Sequence, residues 1–223
     1  MRFPCLVMGP SFSIALALVV FAGSELFTGY PMYMTHGHLL KSVRVKDVLW
    51  SCGVVWLGNL FGAILLSTIV VVSAIDIVSA KADLLSHMAE KKAHQEAVTL
   101  VARGMLCNWL VCLAIWTSAR TSNDAAKLIL IFLCLFAFIA AGFEHSVANM
   151  TVFSLALMSD EASSITMGDA AHNLFWVTLG NALSGSVFVA VSYWFAGGGA
   201  HAAEIIHLND TTLLKPSKPG AYE

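Results

Sequence analysis

From Val48 to Ala74 the sequence contains no Asp, Glu, Lys or Arg and reads as one apolar run. About 20 such residues in helical form cross the hydrocarbon core of a bilayer. Four more runs of this kind extend from Met8 to Ser24, Val98 to Ala119, Ala126 to Met158 and Ala170 to Ala196. Backbone polar groups find no water in lipid, so chains of this kind span it as helices or closed barrels, and unbroken runs of this length read as helices. The chain is 58% hydrophobic and 12% charged. Soluble domains carry about 25% charge, and half of that covers too little water-facing surface.

The composition also narrows the function classes. A net charge of −2 offers no basic patch, so no nucleic acid partner is expected. Cys5, Cys52, Cys107, Cys112 and Cys134 form no Cys-x-x-Cys pair, mostly lie within apolar runs and read as packing residues. Phe12 to Ala22 has the length of a signal-peptide core, but Gly23-Ser24-Glu25-Leu26-Phe27-Thr28-Gly29 does not read as a cleavage site. No metal cluster, nucleophile–base pair or phosphate loop is visible, so neither an enzyme nor a cofactor is expected. His36-x-His38 lacks nearby Cys or carboxylate partners for a metal.

The fourth run is too long for one span and is interrupted by Gly142-Phe143-Glu144-His145-Ser146-Val147-Ala148-Asn149. The first run ends in a comparable patch, Gly23-Ser24-Glu25, before apolar sequence resumes to Met34. Irregular backbone at membrane depth survives only where protein buries it or where it lines a cavity. Two breaks in corresponding places point to a site between inverted repeats. Leu57-Gly58-Asn59 and Leu179-Gly180-Asn181 follow the two breaks in the same order. The second copy has a preceding span and the first does not. The expected fold is therefore an all-α integral membrane protein, an inverted repeat of three plus three helices with two broken helices, its first helix absent from this chain. Residues 1–196 form the transmembrane domain, in about five spans, and 197–223 a flexible cytoplasmic tail.

Lys41, Arg44, Lys46, Arg120, Lys127, Lys215 and Lys218 fall on one side of a five-span count, which makes that side cytoplasmic. Asp160, Glu161 and Asp169 then lie outside, as does the loop with Lys81, Lys91 and Lys92. The N-terminus is expected outside.

Ionisable groups inside a membrane are costly and face a pathway or a partner. His145 reads as a protonatable imidazole facing a permeant, against a structural pair with Glu144. Glu144 and Glu25 read as loop carboxylates that accept backbone N–H groups orphaned by the breaks. The Thr28 hydroxyl serves an anion or its own backbone. Lys92 lies at the external mouth, where it raises local anion concentration, although its spacing alone favours a solvated loop lysine. Asn108 makes an interhelical hydrogen bond or lines a pore. Trp50, Trp116, Trp176 and Trp194 lie near run ends, as in an aromatic belt.

Gly23-Ser24-Glu25-Leu26-Phe27-Thr28-Gly29, Leu106-Cys107-Asn108-Trp109-Leu110-Val111-Cys112-Leu113-Ala114 and Gly142-Phe143-Glu144-His145-Ser146-Val147-Ala148-Asn149-Met150 together resemble the formate/nitrite transporter family. The resemblance runs from about Val7 to Trp194, and Ser-Glu-Leu-Phe-Thr-Gly with Leu-Cys-Asn-Trp is similar to its nitrite branch. It implies an aquaporin-like fold and a homopentamer in the lipid bilayer, multi-pass in a bacterial inner membrane, with one pore per protomer. It implies a channel for nitrite and related small monovalent anions such as formate. The alternatives are a non-transporting assembly subunit, or a formate or hydrosulfide channel. By the same resemblance Leu26, Phe27 and Thr28 form the cytoplasmic constriction against Leu16, and Phe12 and Phe138 narrow the outer side. His145 is the central histidine, Lys92 draws anions in, and Asn108 is its companion.

Two apolar rings around a histidine oppose a bare anion, because desolvating charge costs many kcal/mol. The permeant crosses either as its neutral acid or against a protonated imidazole, and both routes respond to pH near about 6.5.

Overall fold

The computed structural model describes residues 3–73, 82–158 and 165–199. Nine α-helices carry the described residues: α1 (Phe3–Ala22), α2 (Tyr30–Leu39), α3 (Val45–Val72), α4 (Ala82–Ala93), α5 (Ala97–Ser118), α6 (Asp124–Ala141), α7 (Ser146–Met158), α8 (Met167–Leu183) and α9 (Ser192–Ala196). A π-helical segment, Ser184–Val191, joins α8 to α9. No strand occurs among the described residues, as the unbroken apolar runs predict. The tail expected to be flexible lies outside the described residues from 200 onward.

Each start and stop has a local cause. Asn123 caps α6 by accepting the Ala126 N–H at 3.0 Å. Thr166 and Asp169 form a reciprocal capping box on α8. Helices α1 and α6 end in the same way. Gly23 and Gly142 adopt φ 72° and 71°, a left-handed conformation that suits glycine. The next residue in each case, Ser24 or Phe143, returns its N–H at 3.1 Å to the carbonyl five residues back, Val19 or Phe138. The two helix breaks therefore share one backbone solution.

Four described helical stretches are long and apolar enough to cross a membrane: Val45–Val72, Ala97–Ser118, Asp124–Ala141 and Met167–Ala196. The fourth run divides as expected, into α6 and α7 around the Gly142 break. The fifth starts at Met167, three residues before the expected boundary, because the capping box recruits Asp169 into the first turn.

The half-helices are exchanged between repeats. Helix α7, from the second break, packs on α3, and α2, from the first, packs on the π segment that continues α8. Helices α1 and α6 pack side by side. Helix α5 lies close against α8 because both present glycine. A Cβ on Gly104 would come within 2.9 Å of the Val177 carbonyl, and one on Gly180 would strike the Val101 carbonyl. Such small-residue contacts let membrane helices approach closely where water provides no driving force. Helix α3, in contrast, carries Leu49, Trp50, Leu57 and Phe61 on its exposed face. An apolar face of that extent matches lipid or another protein surface, not water.

Candidate functional site: an apolar chamber between two helix breaks

A cavity of about 190 Å³ lies where the breaks meet. Phe12, Leu16, Leu26, Phe138 and His145, five of the residues singled out from the sequence, line it together. Ala15 and Val19 of α1, Val111 of α5, Leu135 of α6 and Val147 and Ala148 of α7 complete its apolar wall, with Thr151 of α7 also on the lining. His145 is the one ionisable side chain on the described lining. The Phe12 and Phe138 rings meet edge to face at 6.2 Å, and the His145 ring stacks on Phe138 at 6.0 Å.

Two hydrogen bonds orient the imidazole. Its Nδ1 accepts the Ala148 N–H at 3.1 Å, so His145 caps the helix that it precedes. Its Nε2 lies 3.2 Å from the Thr28 hydroxyl. A nitrogen that accepts carries no proton, so these contacts fit the neutral tautomer protonated at Nε2, which donates to Thr28. The histidine of one break is thus tied to the threonine of the other.

The remaining candidates surround the chamber and do not line it. Phe27 is 4% exposed and packed away from the cavity. Asn108 is buried, and its Nδ2 donates to the backbone carbonyls of Thr28 at 2.8 Å and Asn181 at 2.6 Å. Of the two readings left open for Asn108, its contacts are those of an interhelical tie. Lys92 points inward, and its Nζ donates to Glu144 Oε2 at 2.6 Å.

The breaks are not held by the residues expected to hold them. Among the described residues, Glu144 accepts from Lys92 and from Asn149 Nδ2 at 2.8 Å, not from backbone N–H groups. Glu25 is exposed, and no hydrogen bond to its carboxylate occurs among the described residues. Asparagines do that work. Asn59 Oδ1 accepts the Phe27 N–H at 2.8 Å, while its Nδ2 donates to the Glu25 carbonyl at 3.1 Å. Asn181 Oδ1 accepts the Ser146 N–H at 2.9 Å, while its Nδ2 donates to the carbonyls of Glu144 at 3.2 Å and Gly104 at 2.8 Å. A primary amide presents both a donor and an acceptor, which a break needs and a carboxylate lacks. The paired Gly-Asn motifs were the signal for this role.

Glu144 belongs to a buried network. Asn149 bridges it to Asn173 Oδ1 at 2.8 Å, and Asn173 Nδ2 returns to the Lys92 carbonyl at 2.9 Å. The loop Lys92–Glu144–Asn149–Asn173 closes on itself and fastens α4 to the second break. Buried asparagines in apolar helices were visible in the sequence, but their mutual reach was not.

Residues 3–195 match the family model described as formate/nitrite transporter. The chain belongs to the formate/nitrite transporter family. Among relatives, it is 43% identical over 206 residues to the nitrite transporter NirC of Escherichia coli (strain K12), covering 92% of this chain and 76% of that one. Among solved structures, it superposes on an FNT family ion channel with a TM-score of 0.80 at 43% identity, covering 86% of this chain and 77% of the other. A pentameric formate channel with formate bound matches with a TM-score of 0.72 at 28% identity, over 86% and 82%. Membership of this transporter family, with several apolar helices long enough to span, makes the protein a multi-pass membrane protein. In this formate/nitrite transporter the chamber lies between the two breaks, the arrangement that inverted repeats create for a permeant.

Proposed function

We propose that the chain is one protomer of a homopentameric channel that passes nitrite and related small monovalent oxyanions such as formate. The observation that carries this reading is His145, an imidazole held by Ala148 and Thr28 on a cavity otherwise walled mainly by apolar side chains. The similarity to NirC favours nitrite as the first permeant to test, and the likeness to a pentameric channel supports the oligomer.

A bare anion between Leu16, Leu26, Phe12 and Phe138 loses its hydration without gaining a counter-charge, at a cost of many kcal/mol. Protonation of the permeant removes that charge: one proton joins the anion on entry, the neutral acid passes the apolar rings, and the proton leaves on the far side. The Nε2–H of His145 and the Thr28 hydroxyl supply hydrogen bonds in the chamber midway. Lys92 lies at the outer end of the network but is paired with Glu144, so its reach into solvent as a free charge is small. Asn108 supports the pathway by holding the Thr28 carbonyl.

The test is nitrite uptake into proteoliposomes under an imposed gradient across a range of pH. The His145→Asn protein should retain the pentamer and take up nitrite more slowly at every pH, because the imidazole donor in the chamber is lost while the permeant still takes its proton from solution. Unchanged uptake across pH in that variant would sink the proposal.

A further inference from the structure

A second cavity, of about 480 Å³, lies at the ends of α2, α5 and α9 and shares no lining residue with the central chamber. Its wall includes His36, Trp116, Arg120, Tyr193, Trp194 and Gly199. Among the described residues, three of its nitrogens are buried without a hydrogen-bond partner: His36 Nδ1, Trp116 Nε1 and Trp194 Nε1. An indole N–H only donates, and leaving one buried and unbonded is costly, so two such groups in one pocket call for an acceptor. Arg120 adds a guanidinium 5.9 Å from the centre of the Trp116 ring. Tyr193 joins the cluster, its ring centre 4.9 Å from that of Trp116.

Helix C-termini disfavour anions, and three converge here. Their terminal carbonyls are largely occupied, however. His36 O accepts the Leu40 N–H at 3.0 Å, Thr117 O the Arg120 N–H at 3.1 Å and Tyr193 O the Gly197 N–H at 2.9 Å. What remains unused is a set of donors beside one exposed cation, the Arg120 guanidinium near the Trp116 ring. Arginine matches paired oxygens with parallel N–H bonds, so the complementary group is an oxyanion.

We propose that this cavity is an oxyanion-binding site, separate from the pore, in which Arg120 and the indole N–H groups of Trp116 and Trp194 hold a carboxylate-like or phosphate group. The group arrives either on a small solute such as formate or on the headgroup of an anionic lipid, and the chemistry is the same for both.

The test uses the full chain labelled with 5-fluorotryptophan in phosphatidylcholine nanodiscs, with the Trp116 and Trp194 fluorine signals assigned from single Trp→Phe variants. Sodium formate should move both signals saturably, and sodium chloride at equal ionic strength should not. If phosphatidylglycerol in the disc moves them without formate, the source is the headgroup and the site stands. Arg120→Gln should weaken the response about tenfold, as loss of a charge-assisted bond requires. Trp194→Phe, which keeps an aromatic side chain and removes the indole N–H, should weaken the remaining Trp116 response. His145→Asn should leave it in place, which separates this site from the pore. The proposal fails if neither formate nor phosphatidylglycerol moves the signals, or if chloride moves them equally. It also fails if the Trp116 signal in Arg120→Gln and in Trp194→Phe responds as it does in the unmodified protein, or if the response vanishes in His145→Asn.

Discussion

Asn59 and Asn181 make the same pair of hydrogen bonds to two different helix breaks. Each accepts the N–H two residues beyond a glutamate and donates to that glutamate's own carbonyl. Helix breaks strand donors and acceptors at membrane depth, and each asparagine satisfies one of both kinds. The environments differ: Asn181 is buried and also reaches Gly104, whereas Asn59 is partly exposed.

Removing these amides should therefore have unequal effects. Unsatisfied buried groups cost about 1–3 kcal/mol each, so Asn181→Ala should lose several kcal/mol of stability and Asn59→Ala about one. Thermal unfolding in detergent checks the order. Equal losses would mean that the two breaks are held by something other than these amides.

The Lys92–Glu144 pair makes a different prediction. Glu144 is almost fully buried, with its side chain 4% exposed, and its partner is 18% exposed. Lys92→Ala leaves a carboxylate buried without its cation, a change of about 3–5 kcal/mol in comparable sites. Combining Lys92→Met with Glu144→Gln should recover much of that, because no charge is then stranded. A double variant as unstable as Lys92→Ala would show that the lysine acts through packing.

Two glycines separate contact from composition. A methyl group on Gly180 meets the Val101 carbonyl across α5, whereas one on Gly58 meets nothing within 4 Å. Gly180→Ala should destabilise the protein by about 1–3 kcal/mol or more. Gly58→Ala should be neutral or slightly stabilising in the isolated subunit, since alanine favours the helix by about 1 kcal/mol. Melting curves of both variants in mild detergent decide it.

Phe138 stacks on the face of the His145 ring, and the Thr28 hydroxyl meets its Nε2 edge. Phe138→Ala should raise nitrite flux and admit larger carboxylates, because it widens the apolar ring. Thr28→Val preserves shape and removes the hydroxyl, so it should lower flux without changing size selectivity. Stopped-flow uptake of formate, acetate and lactate distinguishes the two outcomes.

The helices and the breaks were legible because charge-free runs and glycine-flanked polar patches are local signals. The chamber was legible in part. His145, Phe12, Leu16, Leu26 and Phe138 line one cavity, yet nothing in their spacing brings α1 against α6. The carboxylates misled the sequence reading, because a buried acid near a break looks like the acceptor for the broken backbone. Glu144 instead spends its oxygens on Lys92 and Asn149, a contact across 52 residues that no local pattern encodes. The aromatic cavity near Arg120 was invisible for the same reason: its tryptophans read individually as interface anchors.

The matching hydrogen bonds at the two breaks place Leu26 and His145 at equivalent positions, each one residue after its glutamate and each facing the chamber. One backbone template, used twice, thus presents an aliphatic side chain from one side of the chamber and an imidazole from the other. The two are set by different letters of the sequence on matching supports. Either side chain can therefore be exchanged while the backbone that carries the other keeps its hydrogen bonds.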